Sequence, residues 1–291
     1  MSKNGQEKIH SMVQEKILNL LDEGTVPWHK PWKTVNEFPR NLVSKKPYRG
    51  INIWMLAFSP FSSPWWLSFK QAKKLGGNVK EGEKSTPIIF WKWIDITDKE
   101  TGDDKKIPFM RYYAGFNSDQ CEGIEDKIPV PENADQLEVF NPIECCEKVW
   151  EEYPNKPLYK EAGNRACYNP RSDLITMPPR KRFDGPEQFY DTLFHEMIHS
   201  TGHEERLNRE GVAIRDFADS HSYSKEELVA EMGGAMLSGT CGIEQKTIEN
   251  SASYISTWMK RIRDDKKLVI SASSQAQKAV DHIFDKKWDN D

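Results

Sequence analysis

Apolar positions near the start of the chain recur at the spacing of one helix face. Between residues 5 and 23 the stripe consists of Ile9, Val13, Ile17, Leu20 and Leu21, and Gly24 follows as a stop signal. The pattern predicts an amphipathic helix over residues 5–23. Because these apolar residues are spaced and not contiguous, the segment lacks the core of a signal peptide, and we expect a cytoplasmic protein.

The rest of the N-terminal part mixes loops, short helices and two apolar segments. Residues 25–50 carry prolines and tryptophans typical of loops and short strands, whereas "NIWMLAFSP" and "LSFKQAKKLGG" have the spacing of short helices. The segments "TPIIFWKWIDI" and "IPFMRYYAGF" are β-branched and aromatic, and the acidic "TDKETGDDKK" between them indicates a hairpin turn. The pattern predicts an α+β domain.

The C-terminal part is mostly helical by pattern. Helices are predicted over residues 143–152, 186–201, 224–238, 244–264 and 270–285, and "NRACYNPRSDLITMP" is extended. The proline-bearing acidic segment at 122–136 has little periodicity and marks a boundary. A length of 291 residues also favours two domains. We therefore expect an α+β protein in which an α+β domain (residues 1–125) precedes a mostly helical domain with a small sheet (residues 137–291).

The net charge of −4 conceals an asymmetry between the two parts. Residues 1–120 carry a net charge of +6 and the remainder −10, and residues 24–92 hold 12 basic residues against 3 acidic ones. Seven of the ten tryptophans lie between Trp28 and Trp93, so cations and flat rings are concentrated together. This combination indicates a polyanionic partner. No apolar run is long enough for a membrane helix, and an odd number of cysteines without C-x-x-C spacing indicates reduced thiols.

One segment combines apolar helix positions with metal-binding side chains. "TLFHEMIHSTGHEERL" contains His195, Glu196 and His199 in the order H-E-x-x-H. Residues four apart lie on one helix face, so both imidazoles can reach one ion, with Glu196 beside them as general base. The set favours zinc with a third protein ligand and an open position for water. Manganese or another divalent transition metal is the alternative.

The third ligand is expected from the helix predicted over residues 224–238. In "YSKEELVAEMGGAML", Glu227 and Glu231 lie one turn apart, and small residues beside them allow a close helix approach. We predict Glu227 on the metal, in a gluzincin-like arrangement. Glu231 is predicted to orient a ligand histidine through its other ring nitrogen.

His203 leaves two interpretations open. It stands four residues after His199, but Gly202 favours a helix end, and the longer metzincin spacing is not met. It is either a direct ligand or, as we favour, a capping histidine or one that supports a ligand. The whole motif could also arise by chance in an ordinary polar helix. The extended segment before it favours the metal site, because an edge strand there could present a peptide substrate.

The basic, aromatic part suggests binding of single-stranded nucleic acid, in which rings stack on bases and cations contact phosphates. The opposite interpretation is equally physical, since tryptophans often form the core of a small domain and lysine-rich faces are often only solvated. We assign Trp54, Trp91 and Trp93 to the core. The candidate DNA-binding residues are Trp28, Trp32, Arg40, Asn41, Tyr48, Arg49, Asn52, Trp66, Lys70 and Lys73.

Several segments together resemble the ArdC antirestriction proteins of plasmids and other mobile elements. They are "PWHKPW", "PRNLVSKKPYRGIN", "WWLSFKQAKKLGGNVKEGEKS", "FHEMIHSTGHEERLNR" and "YSKEELVAEMGGAML", and the similarity runs from about residue 6 to 285. The resemblance implies an N-terminal domain that binds single-stranded DNA and a C-terminal zincin domain. It places metal ligands at His195, His199 and the Glu227 helix, Glu196 as the catalytic glutamate, and DNA contacts in "PRN…YRGIN" and "SFKQA".

Three functional hypotheses follow. The first is a cytoplasmic antirestriction protein that binds single-stranded DNA while a zinc metallopeptidase-like domain acts on a partner, such as a restriction-related host protein. The second is a DNA-binding protector whose metal domain is structural. The third is a general metallopeptidase with incidental basic charge, which predicts peptide cleavage without DNA.

Overall fold

The computed structural model describes residues 3–29, 38–97, 104–129, 141–213, 220–243 and 252–286. The chain divides into two compact units. The first contains residues 1–16, 39–130 and 289–291, and the second contains residues 17–38 and 131–288. The expected α+β class is confirmed. The expected domains, residues 1–125 and 137–291, stay a prediction, and the compact units differ from them because residues 17–38 group with the second unit.

The first unit is built on a four-stranded sheet. Its strands are β1 (Arg40–Asn41), β2 (Trp65–Ser68), β4 (Thr86–Thr97) and β5 (Asp104–Asn117), in the order β1-β2-β5-β4. The helices are α1 (Lys3–Asp22), whose residues from Ile17 onward belong to the second unit, α2 (Ile51–Ala57) and α3 (Phe69–Lys74), and β3 (Asn78–Val79) pairs with β6 (Cys121–Glu122). The predicted hairpin is confirmed as the antiparallel pair β4–β5, and its turn lies outside the described residues.

Asn52 protects the outer edge of this sheet. Its Nδ2 donates to the carbonyl of Ile89 at 2.7 Å, and the Ile89 N–H donates to Asn52 Oδ1 at 2.8 Å. Asn52 therefore imitates one step of a neighbouring strand along β4, which is the last strand of the sheet. A buried amide engaged in this way has no surface to offer to DNA, so its expected DNA contact is wrong.

The second unit contains the remaining elements. Its helices are α4 (Pro142–Glu152), α5 (Pro186–Ser200), α6 (Glu210–Ala213), α7 (Ser220–Thr240), α8 (Ala252–Asp264) and α9 (Leu268–Ile283). A small sheet has the order β7 (Leu158–Glu161), β9 (Leu174–Met177), β8 (Cys167–Asn169). Helix α5 packs against α7 and against β8, so the outer strand lies beside the helix with the H-E-x-x-H residues. The predicted mostly helical domain with a small sheet is confirmed.

Trp28 lies in the core of the second unit. It sits in a short 3-10 turn, Pro27–His29, is 0% exposed, and meets Trp258 of α8 edge-on with ring centroids 5.8 Å apart. Its indole therefore helps to hold the Pro27–His29 turn in this unit. No helix in the described part of the chain is long and apolar enough to cross a membrane.

Candidate functional site

Helix α5 presents both histidines on one face, while other positions of the helix are core residues. Pro186 stands in the first turn, where its missing N–H costs nothing, and Phe194, Met197 and Ile198 are fully buried. The four-residue spacing then places His195 and His199 one above the other on one face, where their rings meet edge-on with centroids 4.8 Å apart.

Two glycines of α7 allow it to approach this face closely. A Cβ at Gly233 would lie 2.6 Å from a side-chain carbon of Ile198, and one at Gly234 would lie 3.5 Å from the backbone nitrogen of His195. No larger residue would fit at Gly233 without a shift of the Ile198 side chain or of the helices. The close packing brings Glu227, on the same helix, to the two imidazoles.

Three ligand atoms converge between the helices. His195 Nε2 lies 3.1 Å from His199 Nε2, while Glu227 Oε2 is 3.5 Å from His195 Nε2 and Glu227 Oε1 is 3.5 Å from His199 Nε2. Tetrahedral zinc with bonds of about 2.0–2.1 Å separates its ligand atoms by roughly 3.3 Å. These residues therefore fit a divalent ion in donor type and in spacing, and they are the one such group found among the described residues.

The carboxylates around His195 change its proton affinity. Burial by itself would lower the pKa of His195, but the hydrogen bond to Glu227 and the negative charges of Glu196, Glu227 and Glu231 raise it to about 9. The surrounding field is thus strongly negative. The same field that favours an imidazolium also favours a divalent cation.

Glu226, and not Glu231, supports a ligand histidine. Glu226 Oε1 lies 3.3 Å from His199 Nδ1, the nitrogen that faces away from His195. Burial alone would raise the pKa of Glu226, but His199 and Arg209 lower it, so the carboxylate stays ionised. The prediction for Glu231 was wrong, because Glu226 occupies the helix position that faces the back of His199.

Arg209 holds Glu226 in place. Its Nε and Nη2 donate to the two oxygens of Glu226 at 3.0 and 2.6 Å, and Nη2 also donates to the Ile198 carbonyl at 2.7 Å. Nη1 donates to Thr201 Oγ1 at 2.5 Å. The two-pronged contact fixes both the orientation and the charge of the carboxylate, although the pair is buried.

Glu231 belongs to a different network, one turn along α7. Trp28 Nε1 donates to Glu231 Oε2 at 2.6 Å, and the hydroxyl of Tyr254 donates to the same oxygen. Burial raises the pKa of Glu231 to about 7, against the opposing effect of these two donors. Glu231 acts on His195 through its charge, while its hydrogen bonds tie α7 to α8 and to the Trp28 turn.

Glu196 and His203 occupy contrasting positions. Glu196 is buried beside His195, and its charge acts on that imidazole. His203 lies beyond the end of α5, where its Nδ1 accepts from the Glu205 N–H at 3.3 Å and its carbonyl accepts from the backbone N–H of Arg206. His203 is not in the converging group, and its contacts are those of a residue that caps a turn.

In the first unit, the "PRN…YRGIN" and "SFKQA" segments meet. Asn41 Nδ2 donates to the Tyr48 hydroxyl at 3.1 Å, and Gln71 Nε2 donates to Asn41 Oδ1 at 3.3 Å. Ser68 and Gln71 form a reciprocal capping box at the start of α3. Asn41 also accepts the N–H groups of the turn at residues 43 and 44 and is buried, so its side chain organises this region from inside.

Several tryptophan predictions fail because of burial. Trp28 and Trp66 are 0% and 1% exposed and cannot stack on a base, and Trp66 packs with Leu56 and Ile88. Trp54 is a core residue as predicted, whereas Trp91 is 46% exposed and not in the core. Trp32 and the side chain of Trp93 lie outside the described residues.

The remaining candidates stay accessible. Arg40, Tyr48 and Arg49 are half-buried, and Lys70 and Lys73 are exposed on α3. Phe69 (49% exposed), in the expected "SFKQA" contact segment, is an exposed ring of the same unit, and so are Phe90 and Tyr113, which the sequence interpretation did not single out as DNA contacts. The Tyr113 hydroxyl lies 3.3 Å from that of Tyr48, and Lys73 Nζ lies 5.8 Å from the ring of Phe69. Rings and cations are therefore adjacent in the first unit.

Comparison with known proteins gives one match for each part of the chain. Residues 7–116 match the N-terminal domain of anti-restriction factor ArdC, and residues 155–275 match a zincin-like metallopeptidase. The metal-free crystal structure of the antirestriction ArdC protein from the R388 plasmid is 33% identical, with a TM-score of 0.75. The match covers 95% of this chain and 97% of that chain.

The chain belongs to the ArdC antirestriction family. An Mn(II)-bound structure of the R388 ArdC protein is similar as well, at 32% identity and a TM-score of 0.74. A DNA primase TraC of Escherichia coli is 30% identical over 298 residues, or 96% of this chain, and a second TraC is 30% identical over 299. The chain spans only 20% and 27% of these two primases. An uncharacterized protein of Sinorhizobium fredii is 27% identical over 93% of its length.

Glu226 and Arg209 are the two residues of this ArdC-family centre that sequence reasoning missed. The signal for Glu226 was present, since adjacent glutamates on a helix point about 100° apart, and only one of them can face the two Nε2 atoms. Arg209 carried no comparable signal. Its role depends on the turn after α5, which carries the chain back toward α7.

Proposed function

We propose that this ArdC-family protein protects incoming DNA from restriction by combining a single-stranded DNA-binding unit with a zinc-dependent, peptidase-like centre. The observation that carries the catalytic part is the convergence of His195, His199 and Glu227 beside Glu196. The donor set of two imidazoles and one carboxylate suits zinc, and manganese suits it as well, in keeping with the Mn(II)-bound R388 structure.

Each residue of the centre has a separate task. A divalent ion held by the three ligands would supply a Lewis acid that lowers the pKa of a bound water molecule. The Glu196 carboxylate accepts a proton from the attacking water and later delivers it to the leaving amine nitrogen. Glu226 keeps the Nδ1 proton of His199 in place, so that Nε2 offers its lone pair to the ion.

The small sheet offers a place for a peptide. β8 is one of the two outer strands of this sheet, pairs antiparallel with β9, and packs against α5. An extended substrate segment can add to the free edge of β8 through main-chain hydrogen bonds, which places its backbone beside the metal helix. The substrate that we propose for this centre is a restriction-related host protein.

The DNA-binding part rests on the accessible rings and cations of the first unit. Phe69, Tyr113 and Phe90 are exposed aromatic groups of the kind on which unpaired bases stack. Lys70 and Lys73 lie on α3 with Phe69 and can contact phosphates. We expect single strands to bind more tightly than duplexes of equal length, because only unpaired bases expose both faces to such rings.

We place this function in the cytoplasm. All five cysteines are free thiols, which fits a reducing compartment. Restriction of incoming DNA also takes place there.

The Glu196→Gln variant tests the catalytic proposal. The substitution removes the proton acceptor and keeps all three ligands, so zinc content should stay at wild-type level. Peptide hydrolysis by the full-length protein should fall by about 10²–10⁴-fold. Protection of incoming DNA in a restricting host should fall with it. The matched control is Glu204→Gln, at an exposed position after α5. It should change neither the rate of peptide hydrolysis nor the protection of incoming DNA.

A second function, a DNA-binding protector with a structural metal domain, is favoured by one observation. The accessible rings and cations lie in the first unit, and DNA binding through them does not use the Glu196 carboxylate. If Glu196→Gln retains full protection, this second function replaces the first. If it retains protection but Lys70→Ala with Lys73→Ala loses it, DNA binding is the protective activity.

A further inference from the structure

Three cysteine thiols meet in the second unit, outside the metal centre. Cys145 Sγ and Cys241 Sγ lie 3.0 Å apart, and Cys146 is a further hydrogen-bonding neighbour of Cys241. Cys145 and Cys146 belong to α4, whereas Cys241 directly follows the end of α7. All three are free thiols.

The two closest thiols differ in reactivity. The Cys241 thiol, hydrogen-bonded to Cys145, lowers the pKa of Cys145, and Lys148 lowers it further against the effect of burial. The contacts with Cys145 and Cys146, together with burial, raise the pKa of Cys241. Cys145 is thus the nucleophile of the pair.

Access favours the same assignment. Cys145 is half-buried, while Cys146 and Cys241 are 0% exposed. A reagent in solution therefore reaches Cys145 first. Once Cys145 has reacted, the Cys241 thiol, 3.0 Å away, is in position to resolve the product.

We propose that Cys145 and Cys241 form a modification site, an oxidisable thiol pair that a small-molecule disulfide such as glutathione disulfide converts into an internal disulfide. The Cys145 thiolate attacks one sulfur of glutathione disulfide, which forms a mixed disulfide and releases one glutathione thiolate. Cys241, giving up its proton, then attacks Cys145 Sγ and releases the second glutathione. The two protein thiols lose two electrons and two protons, and glutathione disulfide gains them as two thiols.

The new bond would join two helices that matter for the metal centre. Cys241 directly follows the helix that carries Glu226 and Glu227. Helix α4 contacts the histidine helix, since the Tyr190 hydroxyl donates to Glu147 Oε1 at 3.0 Å. Oxidation therefore links α7 covalently to an element already packed on α5. The inference is independent of the proposed peptidase activity.

Peptide mapping of the full-length protein tests the proposal. The reduced protein is incubated with glutathione disulfide, the remaining thiols are alkylated under denaturing conditions, and the digest is compared with and without reductant. We expect one reductant-sensitive cross-link between the α4 peptide and the peptide that contains Cys241. Exposed Cys167 should carry only a glutathione adduct.

Two neighbouring variants decide which α4 thiol reacts. Cys146→Ser should retain the cross-link, and Cys145→Ser should lose it, with thermal melting used to establish that both are folded. A cross-link that survives in Cys145→Ser but not in Cys146→Ser overturns the assignment. Glutathione adducts in the wild type, without any cross-link, overturn the proposal itself.

Discussion

Glu226 Oε1 lies 3.3 Å from His199 Nδ1, on the side of the imidazole opposite to the converging Nε2 atoms. The carboxylate accepts a hydrogen bond from the Nδ1–H group. This bond fixes the tautomer in which Nε2 is free to bind a cation. Arg209 holds the carboxylate with two hydrogen bonds, so the orientation of His199 is set by Glu226 of α7 and by Arg209 in the loop before α6.

Glu226→Gln should weaken metal binding without removing a ligand. The amide keeps the shape of the side chain but loses the charge that polarises His199 and balances Arg209. We expect zinc affinity, measured by competition with a chelating dye, to fall by about 10–100-fold.

Two further variants serve as comparisons for the zinc affinity of Glu226→Gln. Glu227→Gln changes a ligand itself and should cost more affinity than Glu226→Gln, and Glu204→Gln should cost none. An unchanged affinity in a folded Glu226→Gln protein would show that Glu226 does not position His199.

Trp28→Ala should destabilise the protein and leave DNA binding alone. The indole is fully buried against α7 and α8, so its removal should lower the free energy of unfolding by about 3–5 kcal/mol in urea denaturation. Affinity of the folded protein for a single-stranded oligonucleotide should stay at the wild-type value. Trp91→Ala, at an exposed position, should change stability far less. Lost DNA affinity in stable Trp28→Phe would restore the stacking role.

Asp173→Asn should make the stability of the folded protein depend less on pH in the acidic range. Burial alone would raise the pKa of Asp173, but hydrogen bonds from Arg206 and Tyr168 and the Arg206 charge lower it. A carboxylate with a lowered pKa stabilises the fold fully above its ordinary pKa of about 3.9. That contribution is lost as the pH falls through the lower, folded-state value.

The wild type should therefore melt at a higher temperature than Asp173→Asn at neutral pH, and the difference should shrink below about pH 4. Asn tolerates the positive φ of 44° at this position, so the backbone adds little to the effect. Asp184→Asn, at an exposed position, provides the matched control. A difference that is constant from neutral to acidic pH would contradict the ion pair as its source.

Lys70→Ala and Lys73→Ala should change the salt dependence of DNA binding. Each phosphate contact to a single strand contributes about 0.7 to the slope of log affinity against log salt, so each variant should reduce that slope. Phe69→Ala should instead lose about 1–3 kcal/mol of binding free energy with little change in slope. Lys148→Ala, in the second unit, controls for overall charge. Equal slopes in all variants would rule out α3 as a DNA contact.

Periodicity predicted the long elements well because their packing faces repeat. Helix α5 was expected over residues 186–201 and runs from Pro186 to Ser200, and the β4–β5 hairpin follows its apolar pattern. The pairing of His195 with His199 was also predictable, since a four-residue spacing on a helix is a local property. Short pieces such as β7 and the 3-10 turn at Trp28 have no period to detect.

Tertiary partners could not be predicted from the sequence. In the sequence, an indole that stacks on a base cannot be distinguished from one that is buried and hydrogen-bonded to a carboxylate. Trp28 donates to Glu231, a residue that no local pattern connects with it. The choice between Glu226 and Glu231 likewise depends on the rotation of α7 about its axis, which the close approach at Gly233 sets.

The hydrogen bond between Trp28 and Glu231 joins residues that are 203 positions apart in the chain. At about 5–20 residues per second, the ribosome needs roughly 10–40 s to add the second partner after the first. During that interval the indole emerges from the exit tunnel without its native neighbours, while residues 39–130 can already pack. A nascent chain stalled before α7 should therefore bind a chaperone through residues 17–38, and release should follow the synthesis of α7 and α8.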